Sequence, residues 1–148
     1  MEPLIIKTGD NKRYDIGTMT YHIRLRGDDT EGRFTLIDFV LYPGAIGPGE
    51  HYHKECMKTF FVLKGRLGFE VAGEKGELSA GEILHIPKGT VHDFANAYDG
   101  PCRFLLYASP AGLEYFFEDV AESGMRNFKE LLDQYAMVLV GSGKENGK

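Results

Sequence analysis

This chain predicts an all-β sandwich or barrel followed by two C-terminal α-helices, and three observations predict it. Short runs rich in β-branched and aromatic residues recur at near-regular spacing from about Thr18 to Ala108. Clusters of Gly, Pro and Asp punctuate them. Beyond Ala108 the apolar period lengthens to i, i+3, i+4, i+7.

The runs follow in order. Met19–Leu25 alternates, and Arg33–Tyr42 is long and rich in β-formers. Then come Thr59–Leu63, Leu67–Val71, Glu82–Ile86, Thr90–Phe94 and Arg103–Tyr107. Turn signals at Gly27-Asp28-Asp29, Pro43-Gly44, Gly47-Pro48-Gly49, Lys64-Gly65, Gly73–Gly76, Pro87–Gly89 and Asp99–Pro101 separate them. Ser109 reads as an N-cap with Pro110 at the first helical position. Leu113, Phe116, Phe117 and Val120 then share one helical face. A second helix is expected from Asn127, with Glu130 completing a capping box. Phe128, Leu131, Leu132, Tyr135 and Leu139 line its apolar face, Gly141 ends it, and 143–148 reads as a frayed tail. The helical stripes read as core and receive no catalytic role.

A length of 148 residues fits one domain, with a barrel over about 15–108 and helices over about 110–141. The formal charge of −5 supplies no basic stripe, so nucleic acid is not an expected partner. No run approaches the roughly 18 apolar residues of a membrane span, and no secretory signal opens the chain. Cys56 and Cys102 have no framework spacing and read as reduced thiols, so the expected location is cytoplasmic.

Chemistry concentrates in two segments. His51 and His53 stand two apart, so on a strand they face the same way. His92 follows the Pro87-Lys88-Gly89 turn, which can fold a third imidazole back toward them. Three imidazoles on one interior face suit a divalent transition metal: Fe, Mn, Ni, Cu or Zn. His85 reads as structural and His22 as a strand-surface residue.

These segments resemble the two motifs of the cupin superfamily. The second motif, G-x5-P-x-G-x2-H-x3-N, is matched in full by Gly81, Pro87, Gly89, His92 and Asn96. The first is matched at His51, His53 and Gly65, with Gly44 one residue too far upstream. The stretches Asp29–Phe34 and Ser109–Phe117 also look like one bacterial branch, often called quercetin-2,3-dioxygenase-like. The resemblance covers roughly Gly17–Gly141 and implies an antiparallel jelly roll enclosing a ligand cavity. It further implies His51, His53 and His92 as metal ligands.

The fourth ligand in that pattern is a glutamate seven residues before Gly65, and Lys58 stands there. Three arrangements are physically open. Lys58 turns away and leaves a three-histidine site; Glu55 or another carboxylate fills the gap; or metal binding is lost and Lys58 and the histidines form an anion-binding or acid–base pocket. Lys58 and His92 are therefore the candidate catalytic residues.

Alternation from Lys58 places Phe60 and Val62 inward, and Phe69, Phe94 and Tyr107 join them as expected cavity lining for a small organic ligand. On the opposite face of the same run, Phe61 and Leu63 imply sheet packing or a homodimer interface. The functions in view are a metal-dependent dioxygenase-like oxidoreductase on an aromatic or enolic substrate, a non-catalytic sensing cupin, and a non-redox isomerase, cyclase or decarboxylase.

Overall fold

A computed structural model describes residues 2–124 and 127–140. Two antiparallel sheets face each other. The first orders its strands β1 (Arg13–Asp15), β2 (Met19–Leu25), β3 (Thr35–Leu41), β10 (Cys102–Ser109), β5 (Met57–Lys64) and β8 (Ile83–Ile86). The second runs β11 (Met137–Leu139), β4 (His51–His53), β9 (His92–Ala95), β6 (Arg66–Val71) and β7 (Glu74–Ser79). Helices α1 (Leu113–Ser123) and α2 (Phe128–Gln134) follow the last long strand. Pairs such as β3 with β10, β5 with β8 and β4 with β9 join strands distant in sequence, the crossed connectivity of an antiparallel jelly roll.

Alternation fills the space between the sheets. Register places Phe104 between Phe39 and Val62, and Leu106 between Ile37 and Phe60. All six are buried, and Phe39 stacks on Phe104 with ring centroids 5.2 Å apart. One layer further, Ala108 lies between Thr35 and Lys58. The small side chain beside Lys58 leaves room for its long stem. The motif glycine Gly65 is required for two reasons: its φ is 78°, and a Cβ there would lie 2.3 Å from the Pro101 carbonyl oxygen.

Several expectations are corrected. Ser109 closes β10 instead of capping a helix, and α1 begins at Leu113. Glu114 serves that end: its two carboxylate oxygens accept the Gly112 and Gly27 N–H groups at 2.7 and 2.8 Å. Asn127 stands at the start of α2 without a side-chain cap. That helix ends at Gln134, and Ala136, with φ 57°, turns the chain so that Met137–Leu139 becomes a strand. Leu139 is thus the register partner of His51, not part of a helical face. The physical reason is local: β4 has an open edge, and backbone pairing there satisfies polar groups that a longer helix would leave unpaired. The expected stop at Gly141 and the tail over 143–148 lie outside the described residues. The strand β7 emerges from Glu74–Ser79, joined to β6 by Ala72 and Gly73 at φ 50° and 84°, a pair suited to a two-residue hairpin.

Helix α1 is tied to the first sheet by polar contacts. Tyr21 donates to the Phe117 carbonyl at 2.6 Å, Tyr14 donates to Glu118 at 2.7 Å, and Arg26 pairs with the same carboxylate. Among the described residues, no helix is long and apolar enough to cross a membrane.

Candidate metal centre

The two motif segments hold each other. Backbone N–H groups of Gly44 and Gly47 donate to the carbonyls of Asn96 and Phe94 at 3.0 and 2.9 Å, and Asn96 donates back to Ala45 at 2.9 Å. The Gly89 N–H donates to the His53 carbonyl at 2.8 Å. His51 and His92 are direct antiparallel partners across β4 and β9. This explains why neither segment makes a site alone. Asn96 turns out to be a structural pin: its amide donates to the carbonyls of Leu41 and Gly100, each at 2.9 Å.

His51, His53 and His92 are all buried, with one candidate ligand atom from each lying within 4.8 Å of the others. A carbonyl oxygen can only accept, so ring nitrogens beside carbonyls must carry the hydrogens. His51 Nδ1–H donates to Gly49 at 2.8 Å, and His92 Nδ1–H donates to Thr90 at 2.9 Å. Both rings are thereby left with a lone pair on Nε2. The His92 Nε2 and both His53 ring nitrogens are buried without any hydrogen-bond partner. Orphaned buried acceptors are costly, and a cation shared among them removes that cost. The donor set therefore fits a divalent transition metal.

Electrostatics keep these rings neutral. Burial first, then the Lys58 charge, pulls the His51 pKa down to about 4. The same causes, followed by His51, pull His92 down to about 3. His53 is pushed far below the ordinary histidine range, mostly by burial and again by Lys58. Neutral imidazoles are the ligating form, so protons do not compete at neutral pH.

Lys58 does not turn away. It is 3 % exposed, on the inward face of β5, and lies in the wall of the same cavity as His51 and His53. Its ammonium sits 5.5 Å from the Phe60 ring centroid and makes no ion pair within 4.0 Å among the described residues. Burial lowers its pKa to about 7, opposed by Cys56 and Asp93. Glu55, the candidate rescuing carboxylate, is exposed and lies on a separate hollow with Cys56 and Tyr135, apart from the histidine cluster. Cys56 and Cys102 are free thiols. His85 is exposed with Thr59 at 2.8 Å, and His22 stands opposite Asp38 on the outer strands.

His51 and His53 open into a cavity of about 300 Å³ whose wall differs from the expected one. Of Phe60, Val62, Phe69, Phe94 and Tyr107, only Phe94 lines it. Phe60 and Val62 do point inward, but into the packed layer against Phe104. Phe69 is the cross-strand partner of Phe94 and packs over Gly76. Tyr107 faces the other side of β10 and packs on Phe34, with centroids 4.9 Å apart. The wall comes instead from Phe116, Phe117 and Val120 of α1, Phe128 of α2, and Met137 of β11, with Ile46 at the rim. Those aromatic stripes were visible in the sequence, but only as apolar helix faces.

Residues 37–107 match the Cupin domain family Cupin_2. The quercetin 2,3-dioxygenase of Bacillus subtilis (strain 168) is 27 % identical over 97 residues, covering 62 % of this chain and 27 % of that protein. The polyketide synthase protein CurC of Streptomyces cyaneus is 32 % identical over 96 residues, covering 59 % of this chain and 62 % of its own length. Both matches thus span less than two thirds of the relative. The polyketide cyclase RemF of Streptomyces resistomycificus superposes with a TM-score of 0.64 at 25 % identity, over 73 % of this chain and 80 % of that structure. Two sheets in jelly-roll order, closing on three inward histidines, define a small cupin barrel. Residues 37–107 are thus a cupin domain by family match, and the fold around them is that of solved cupin structures.

Proposed function

We propose that this cupin is a metal-dependent enzyme acting on an aromatic or enolic small molecule, with a divalent transition metal held by His51, His53 and His92. The observation that carries this reading is the set of buried, unpartnered ring nitrogens at the end of an aromatic-walled cavity. When bound, the metal supplies Lewis-acid activation of a substrate oxygen and, for a redox-active ion, access to O₂ chemistry. The chain does the rest. The Gly49 and Thr90 carbonyls hold two imidazoles in the ligating tautomer. Phe94, Phe116, Phe117 and Phe128 orient a flat substrate and exclude water. Lys58 holds a proton at Nζ beside the site, where an enolate oxygen can receive it.

A dioxygenase-like oxidoreductase is the first reading, supported by the similarity to quercetin 2,3-dioxygenase. The second is a non-redox cyclase, isomerase or decarboxylase. Lys58 in place of a carboxylate ligand favours it, as do the polyketide relatives. Metal content by plasma mass spectrometry, on untagged protein never exposed to a nickel column, tests the common core. Near one equivalent is expected, and protein that also refuses added metal sinks both readings. Oxygen uptake with enolic and phenolic substrates then separates them.

The same reading includes one cupin domain over 1–148, supported by a shared hydrophobic cluster from Tyr14 to Met137. It also includes a homodimer through the outer face of the first sheet, where Phe61, Leu63 and Ile83 are 37–57 % exposed. Sedimentation velocity checks the dimer. The two free thiols fit a reducing, cytoplasmic setting.

A further inference from the structure

Lys58 is a buried cation without an anion. Its register partners are Ala108 of β10 and Ile86 of β8, both apolar. The Phe60 ring face offers a weak cation–π contact at 5.5 Å. No carboxylate among the described residues lies within 4.0 Å of it. Asp93, whose charge does act on Lys58, accepts the Phe94 backbone N–H at 2.9 Å and forms no ion pair with the lysine. An ammonium removed from water without a partner is expensive, and a packing role alone would be served by methionine of similar length. What distinguishes Lys58 from a filler is its position in the wall of an otherwise apolar cavity, able to take a counter-ion from a bound molecule.

We infer that the cavity selects an anionic aromatic ligand, a flat apolar body bearing a carboxylate or enolate, with the oxyanion placed beside Lys58 and the rings against Phe94, Phe116 and Phe117. The inference rests on the reading above that this cavity takes an aromatic or enolic small molecule, and it adds the charge that the molecule must carry. The two contributions divide cleanly. The aromatic wall supplies affinity without regard to charge, and Lys58 supplies discrimination against the neutral isostere. A metal at the histidines adds positive charge to the same space but is not needed for the preference.

The test compares 2-naphthoate with its neutral isostere 2-naphthamide by calorimetric titration, on the protein as purified and again after dialysis against a chelator. The native chain is expected to bind 2-naphthoate at least tenfold more tightly than 2-naphthamide in both states. Lys58→Met is expected to lose that preference while keeping its 2-naphthamide affinity, and Lys58→Arg to retain it. Equal binding of the two probes by the native chain, binding of neither, or a preference that survives in Lys58→Met would overturn the inference. Should Lys58→Met fail to fold by circular dichroism, Lys58→Gln takes its place, and the native comparison already decides. Failure of the metal reading is seen separately: metal-free protein with the naphthoate preference intact keeps the inference and discards the metal.

Discussion

The floor of the cavity and its wall are assembled on different terms. The floor is three strands, β4, β5 and β9, whose histidines and lysine are fixed by backbone ladders and by hydrogen bonds between the two motif loops. The wall is mostly helical: α1 and α2 present aromatic faces and are held by a few side-chain contacts such as Tyr21 to Phe117. The floor carries polar groups that stay buried at a cost, which supports the ligating role proposed for it. The wall buries apolar surface, stabilises the fold in doing so, and tolerates repacking. Chemistry should therefore follow the floor, and ligand shape and stability the wall.

That division can be broken most sharply at His53. His53→Ala is expected to abolish metal binding, from near one equivalent to a trace by plasma mass spectrometry, without lowering the melting temperature of the metal-free protein. Full metal content in the variant would remove His53 from the ligand set. Lys58→Glu should shift affinity the other way, binding divalent metal at least tenfold more tightly than the native chain in a competition titration. Unchanged or weaker binding would show that position 58 does not face the ion.

Acid should also act through the floor. His51, His53 and His92 have folded pKa values below the ordinary 6.5, so the unfolded chain binds more protons as pH falls. Stability of the metal-free protein is then full above about pH 6.5 and declines below it, by up to about 1.4 kcal/mol per pH unit for each ring. Urea melts at pH 7 and pH 5 measure this; a flat profile would mean that the rings accept protons in the fold.

The wall gives smaller, separable effects. Phe116, 4 % exposed, packs on Phe117, Phe128 and Tyr135, and Phe116→Ala should cost about 3 kcal/mol while leaving metal content unchanged. Loss of metal in that variant would show that the helices support the histidines. Tyr21→Phe removes the 2.6 Å bond to the Phe117 carbonyl and should cost about 1 kcal/mol by denaturant melts, again with metal retained.

The same division explains what could be read beforehand. His51, His53, His92 and the misfit at Lys58 were legible because strand alternation fixes which residues share a face, and the motif turns set the register. Lys58 proved to face inward, as its strand position required. Alternation does not say what lies opposite, however. Phe60 and Val62 were correctly inward yet meet Phe104 and the core instead of open space. Tyr107 went outward because β10 pairs it with Thr59 and Leu36. The roles of Phe116, Phe117 and Phe128 depend on where two helices dock, which no periodicity encodes. The strand Met137–Leu139 was missed because three residues carry no pattern of their own, and its partner lies far earlier in the chain, Met137 pairing with His53.

That last pairing makes the chain's closing strand a guard on its chemistry. Two further bonds extend the ladder at its ends: the Val140 N–H donates to the Glu50 carbonyl at 2.8 Å, and the Lys54 N–H donates to the Ala136 carbonyl at 2.9 Å. A protease cut after Gln134 would unzip this strand and turn the histidine-bearing β4 into a bare sheet edge. Loss of the proposed metal and edge-to-edge self-association would then arrive as one event, so that wear at the periphery is reported at the centre.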